Sequence, residues 1–330
     1  MTSTTRGGRR DSHPLKLLLL SLLAATLVLA ACGDDDDAPT DGATQDPAAD
    51  DAGDDAPSGG TLVIGGIPDQ DPDRLQRQFG LVADHLSAEL GIDVVYEAVA
   101  DYDASVSAFR VGDLDLVWFG GLTGVQARLQ VDGASAIVQR DIDAEFTSVF
   151  VANTGAGIDS IDDVAGLSVL AGHSFTFGSD SSTSGRLMPQ SFLAEAGVTL
   201  DDFDGEAGFS GSHDATIGLV EAGSYDAGAL NSQVWDSRTE EGTVDETKVV
   251  EVFRTPTYFD YHWVVRPDLA DRFGDDIVER ITEAMLALDA DDPDDAAILD
   301  QFGAESFIET DDANYADIET VGREIGRIEG

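Results

Sequence analysis

From residue 60 onward, short apolar runs alternate with stretches whose apolar residues recur at helical spacing. This alternation limits the fold more than any other property of the chain. The pattern predicts a strand over 61–67, ended by Pro68. Leu75, Phe79, Val82, Leu86 and Leu90 then fall on one helical face, with Gly91 as the stop. Strands follow over 93–99 and 114–119. Between them Asp103 opens a short helix that runs through Phe109 to Gly112, and after Gly120-Gly121 a helix starts at Thr123 and reaches Gln130. Repeated β-α-β units with short links imply a parallel sheet covered by helices.

A second set begins with an apolar run over 147–152. Ser160, Ile161, Asp162 and Asp163 resemble a capping box with Asp in place of Glu. A strand is expected over 167–171, a helix through Leu187, Leu193 and Ala196 that ends at Gly197, a helix over 212–222 and a strand over 225–230. Runs over 249–254 and 262–266 lead back toward the first set, and helices over 275–288 and 315–328 finish the chain. The expectation is one α/β lobe from 61–149 plus 255–330 and a second from 150–254. Each holds a mostly parallel sheet flanked by helices, and two hinge strands cross between them. Ligand sites in open α/β sheets lie outside the carboxyl ends of the strands, which would meet in the cleft.

The segment before residue 60 reads differently. Arg6, Arg9, Arg10 and Lys16 precede an apolar stretch over 17–31 that is too short for a stable membrane anchor, the layout of a secretory signal peptide over 1–31. The Arg9-Arg10 pair leaves both bacterial export routes open. Leu29-Ala30-Ala31-Cys32 resembles a lipobox, so Cys32, the one cysteine, is the expected site of lipid attachment on the extracytoplasmic face of the cell membrane. Residues 32–60 are rich in Asp, Ala, Gly and Pro and hold almost no large apolar side chain; they are expected to be a disordered acidic tether. The chain has 18 Lys+Arg against 65 Asp+Glu; residues 1–31 hold four of the former and one of the latter. So acidic a surface excludes nucleic acid as a partner. The five histidines, at 13, 85, 173, 213 and 262, show no helical pair, and neither a metal site nor a cofactor is implied.

Four runs can carry chemistry. In 177–189, FGSDSSTSGRLMP, Ser182, Thr183 and Ser184 come just before a helix, where free N–H groups, the helix dipole and three hydroxyls make an anion seat without a cation. Ser212 and His213 open another helix, and the imidazole can donate to an oxyanion. In 115–128, Trp118 and Phe119 end a strand and Thr123 stands at a helix start; Tyr102 lies on a strand-to-helix link of the same lobe. In 254–273, Asp260 sits among Tyr258, Phe259, Tyr261, His262 and Trp263. A carboxylate repels an anion unless the ligand carries a proton that the carboxylate can accept. Phosphate, phosphite and phosphonates carry one near neutral pH; sulfate and selenate do not. Plain capping, core packing and surface placement remain open for each run taken alone.

Together, and in this order, the runs resemble the phosphate/phosphite/phosphonate-binding proteins of ABC importers, in the type 2 periplasmic-binding class. The motifs are STSG before a nearby Pro, SH at the next helix and D-A-G after it. WFGGLTGVQAR and TYFDYHWVVRPDL are similar to a branch of that family labelled selenate-binding. The resemblance implies a two-lobed α/β binding protein that is not an enzyme. It implies action as a monomer and delivery of a small oxyanion to the transmembrane permease of an ABC importer. It implies ligand contacts from Tyr102, Phe119, Thr123, Ser182, Thr183, Ser184, His213 and Asp260. Phe119 stands where the family often has a tyrosine. Three alternatives stay open: selenate or an organic anion on the same fold, a ligand-sensing domain, and a phosphatase-like hydrolase using Ser182 or Ser184 with His213.

Overall fold

A computed structural model of the chain describes residues 60–329; the expected signal peptide, the attachment site at Cys32 and the tether lie outside the described residues. The first sheet is built from β1 (Leu62–Gly66), β2 (Val94–Tyr96), β3 (Leu116–Phe119) and β4 (Ser135–Arg140), interleaved with α1 (Pro72–Leu90), α2 (Tyr102–Val111) and α3 (Gly121–Gln130). The chain then crosses to β5 (Ser148–Asn153), β6 (Phe175–Phe177), α4 (Met188–Glu195), β7 (Gly208–Phe209), α5 (His213–Glu221), β8 (Ala227–Asn231), α6 (Ser232–Glu240) and β9 (Val249–Arg254). It returns as β10 (His262–Val265), α7 (Leu269–Phe273), α8 (Ile277–Leu286), α9 (Pro293–Phe302), β11 (Phe307–Glu309) and α10 (Ala316–Glu324).

The two-lobed α/β architecture matches the expectation, but both sheets are mixed. The first has the order β11-β4-β10-β3-β1-β2 and the second β7-β6-β8-β5-β9. The parallel pairs are β1 with β2 and β3, and β6 with β7 and β8. β10 runs antiparallel to β3 and β4 because it enters the first sheet from the opposite end after the excursion. β5 pairs antiparallel with both β8 and β9. The crossing segments are residues 141–147 and 255–261. They exchange two backbone hydrogen bonds, each 2.9 Å, between Phe146 and Tyr258. Ser148 already pairs with Asn231, so the expected lobe boundary at 149/150 falls inside β5.

The periodicities work as expected where they are long. Leu75, Phe79, Val82, Leu86 and Leu90 are all buried along α1, which starts on the Asp71 side chain and Pro72 and ends at Gly91 with φ 68°. Alternation along β5 puts Phe150 and Ala152 in one apolar cluster and Val149 and Val151 in another, one on each face of the sheet. Three local expectations are corrected. Residues 164–170 form a 3₁₀ helix, not a strand, because burial falls on Leu167 and Leu170, a spacing of three, and the Asp163 side chain, not Ser160, caps it at Gly166 N–H. Asp101 caps α2, which places Asp103 in its first turn. α3 begins at Gly121, ahead of Thr123.

Candidate functional site

The serine run follows the carboxyl end of β6. Ser182 caps the next helix by accepting from Gly185 N–H at 2.9 Å, and a π-helical turn over Thr183–Leu187 leads into α4. Residues 181–184 are all buried. Each hydroxyl has its own task. Ser182 Oγ is the cap. Thr183 Oγ1 accepts the Leu122 N–H at 2.8 Å from the first turn of α3, so its own proton is free to donate. Ser184 Oγ has no hydrogen-bond partner, while its carbonyl accepts from Ser148 Oγ at 2.7 Å. Ser148 Oγ also meets Tyr258 Oη at 2.6 Å. Gly185 is tightly packed: a Cβ there would stand 3.0 Å from Ser182 Oγ and 3.2 Å from both Gly178 Cα and His213 Cε1.

Opposite the serines stands Asp260, on the second crossing segment and fully buried. Its Oδ1 accepts the Gly121 N–H at 2.9 Å; Oδ2 has no partner. Burial pushes the carboxyl up to about 7; the Gly121 N–H pulls it back, nearby Asp143 adds to the rise, and the hydroxyls of Thr183 and Ser184, close to the carboxyl but outside hydrogen-bond geometry, lower it. A Cβ on Gly120 would stand 3.2 Å from Thr183 Oγ1 and 3.3 Å from Asp260 Oδ1, so this backbone faces the same space. Tyr102, the first residue of α2, is buried beside Ser182 with its hydroxyl unpartnered. Burial holds that phenol well above its ordinary pKa, so it stays a donor.

His213 opens α5 behind the Ser212 cap and is fully buried. Its Nδ1 accepts the Asn231 N–H at 3.3 Å, which puts the proton on Nε2, 3.2 Å from Tyr261 Oη. Burial lowers its pKa to about 4, so the ring is neutral at pH 7. Tyr261 Oη donates to Asp69 Oδ2 at 2.8 Å and accepts from Asn231 Nδ2 at 3.0 Å. Its ring stacks on Trp118 at 5.6 Å, and the Arg140 guanidinium lies 4.9 Å from the ring centroid. Burial raises Asp69 to about 6. Arg140 is itself buried and paired to Asp143 through two 2.7 Å bonds.

Of the eight expected residues the structure therefore gathers Tyr102, Ser182, Thr183, Ser184, His213 and Asp260. It turns the other two elsewhere. Phe119 is fully buried with its ring edge-on to Phe109 at 5.6 Å, and the Thr123 hydroxyl donates to Gly120 C=O at 3.1 Å. Sequence reasoning missed Asp69, Asn231 and the buried Arg140–Asp143 pair. The first two lie just past β1 and at the end of β8, so the rule that sites gather at carboxyl ends of strands was the signal for them.

Three unpartnered buried atoms, Tyr102 Oη, Ser184 Oγ and Asp260 Oδ2, thus accompany the free proton of Thr183. Each buried polar group left unpaired costs about 1–3 kcal/mol. The set offers three donors and one acceptor to a small polar guest, with no cation in contact among the described residues. The lobes are shut over it. Besides Leu122–Thr183, Ser181 Oγ donates to Asp103 Oδ1 at 2.6 Å, His213 N–H to Asp69 C=O at 2.9 Å, and Asp71 N–H to Asp214 Oδ2 at 2.9 Å. Arg74 pairs with Glu241 at 2.7 Å and Arg327 with Asp180.

Residues 64–315 match the family described as ABC transporter, phosphonate, periplasmic substrate-binding protein. A probable ABC transporter phosphite binding protein, PhnD1, of Prochlorococcus marinus (strain MIT 9301) is 48% identical over 268 residues, 81% of this chain and 90% of that protein. The solved structure of PhnD1 in complex with methylphosphonate superposes with a TM-score of 0.80, covering 81% of this chain and 99% of the other. The phosphate-import protein PhnD of Mycolicibacterium smegmatis is 24% identical over 78% of each chain. A binding protein of an ABC phosphonate transporter from Pseudomonas aeruginosa, at 19% identity and a TM-score of 0.70, shares the fold over 82% of this chain and 87% of its own.

Proposed function

The chain belongs to the periplasmic substrate-binding protein family of ABC phosphonate transporters, and we propose that it captures a small, singly protonated phosphorus oxyanion between its lobes and delivers it to a permease. The observation that carries the choice of ligand is Asp260 Oδ2. It is buried, unpartnered and set among hydroxyl donors, so it suits a ligand that brings its own proton. Sulfate and selenate, fully ionised, bring no proton, so once Asp260 is ionised Oδ2 faces a like charge. The test is thermal unfolding with phosphate, phosphite, methylphosphonate, selenate and sulfate in parallel. Phosphite or methylphosphonate is expected to give the largest upward shift; a largest shift with selenate or sulfate would refute the ligand class.

The geometry favours binding over hydrolysis. Ser182 Oγ is committed to the helix cap, and both nitrogens of His213 are engaged by Asn231 and Tyr261, so no serine–histidine pair is poised for nucleophilic attack. The binding residues we assign are Tyr102, Thr183, Ser184 and Asp260, with Ser182 and His213 shaping the seat; Phe119 and Thr123 act from behind. The remaining parts of the reading are export by the signal peptide over 1–31, lipid attachment at Cys32, the tether and monomeric action. Palmitate labelling of the wild-type chain that is lost in Cys32→Ala is the expected outcome for the anchor.

Closure also gives an expected result. Arg327 lies beyond α10 in the first lobe and grips Asp180, two residues before the helix cap at Ser182. It touches no ligand group. Arg327→Ala is expected to speed ligand release roughly two- to fivefold, the scale of one exposed ion pair, and to leave the association rate unchanged. Stopped-flow measurement of both rates checks this, and the difference from wild type should shrink in high salt.

A further inference from the structure

Two features directly behind Asp260 each lower stability, and neither belongs to the serine run. The first is His262, which opens β10 and is fully buried. Its Nδ1 lies 3.0 Å from the backbone carbonyl of Asp260. A carbonyl only accepts, so the proton sits on Nδ1 and the lone pair on Nε2. Nε2 has no donor within reach, an unpaired buried acceptor that folding has to tolerate. Burial lowers this histidine to about 3 and Arg128 pushes the same way, which keeps the ring neutral.

The second feature is Gly124 inside α3, where glycine is a poorer helix former than alanine. A Cβ there would stand 2.3 Å from His262 Nε2 and 2.4 Å from its Cε1. The glycine is the space the ring occupies. Tyr315 stacks on the imidazole at 3.7 Å between ring centroids. The ring therefore lies against α3, whose first N–H holds Asp260 Oδ1, and against the main chain of Asp260 itself.

We infer that His262, seated by Gly124, is a positioning residue: it fixes the Asp260 backbone against α3 so that Oδ1 meets the Gly121 N–H and Oδ2 is left facing the ligand. An apolar residue in place of His262 would remove an unpaired acceptor. What it would lose is the one side-chain bond to the Asp260 main chain. The inference rests on the reading of Asp260 as the acceptor of a ligand proton. The other titratable groups facing Asp260 are the Arg140–Asp143 pair and the phenols of Tyr102, Tyr258, Tyr261 and Tyr315. None of them hydrogen-bonds to His262.

The test follows the Asp260 carboxyl in the ligand-free protein by ¹³C NMR, with Asp260→Asn to assign the signal. In His262→Phe the carboxyl loses its fixed approach to Gly121 N–H, the hydrogen bond that lowers its titration point. Its midpoint is therefore expected to rise above the wild-type value near 7. Phosphite affinity by calorimetry is expected to fall roughly tenfold. His262→Asn places a donor near the Nδ1 position and should return both values toward wild type. Gly124→Ala presses the ring from the helix side and is expected to raise the midpoint in the same direction, which keeps the test alive if His262→Phe does not fold. An unchanged midpoint in both His262→Phe and Gly124→Ala overturns the inference, even if their melting temperatures drop. Failure of the wild-type protein to bind any phosphorus oxyanion would overturn the proposed ligand instead, and the titration would still read the positioning role.

Discussion

Asp260→Asn is expected to weaken phosphite or methylphosphonate binding by roughly 10- to 100-fold, the scale of a hydrogen bond to a charged group. The amide oxygen can still accept from Gly121, where Oδ1 now sits at 2.9 Å. The amide nitrogen then replaces Oδ2, an acceptor becomes a donor, and it meets the ligand hydroxyl in the wrong sense. The same change should raise the standing of sulfate relative to phosphite, because a fully ionised oxygen welcomes a donor. In the wild-type protein, affinity is expected to fall as pH rises above about 7, where ligand and Asp260 are both ionised and no proton is left to share. Asp260→Asn should lose the part of this dependence that belongs to Asp260.

In the ligand-free protein, stability is expected to fall over the same pH range. The folded-state value of Asp260, about 7, lies above the ordinary 3.8, so the folded protein holds this proton more tightly than the unfolded chain. The stabilisation is complete below the unfolded value and is lost as pH rises through 7. Asp69, raised to about 6, behaves alike. His213 and His262, lowered to about 4 and 3, act oppositely: their contribution is present above 6.5 and is lost as pH falls. At pH 8, wild type carries a buried ionised carboxylate that Asp260→Asn lacks. The ligand-free variant should therefore be more stable, on the order of 1–4 kcal/mol, and melt higher while binding worse. A lower melting temperature at pH 8 together with intact phosphite affinity would falsify the assignment of Oδ2.

The second large effect is at Thr183. Its hydroxyl accepts from Leu122 in the opposite lobe and is left with a proton to give to the anion. Thr183→Ala removes the donor and strands a buried N–H, so a loss of about 1–3 kcal/mol in binding is expected, or roughly 5- to 150-fold. Thr183→Ser keeps the hydroxyl and should bind within a few-fold of wild type. Because the lost bond also joins the lobes, faster release should account for most of the change. Wild-type affinity by calorimetry in Thr183→Ala would remove the serine run from the site.

The sequence carried those parts whose cause is local. The face of α1 was legible because five buried positions repeat over several turns, and the serine cap because hydroxyls before a helix need only their neighbours to make it. Residues 164–170 misled because a short apolar run does not show its period until burial selects Leu167 and Leu170. The helix over Pro293–Phe302 was there to find: Asp292 caps it, Pro293 begins it and Gly303 ends it at φ 62°. The place of Asp69 just past β1 was legible from the carboxyl-end rule, but its partner was not, since Tyr261 lies 192 positions along the chain. Phe119 and Thr123 were drawn in by adjacency to a glycine turn, and only packing shows that both face inward.

The bond from Ser148 Oγ to the Ser184 carbonyl bears on the order in which a ligand meets its partners. Ser148 opens β5 and is also held by the Thr255 hydroxyl, which accepts its N–H at 2.9 Å, just past the strand β9 that leaves the second lobe. The serine loop is thereby moored to the root of its own lobe and travels with it when the cleft parts. Under the proposed function, an arriving anion is expected to find that half of the seat already assembled, while the half carried by Tyr102 and the start of α3 has to come to it. Capture is then expected to proceed as docking on a finished platform followed by the lowering of a cover, whose fit sets how long the guest stays.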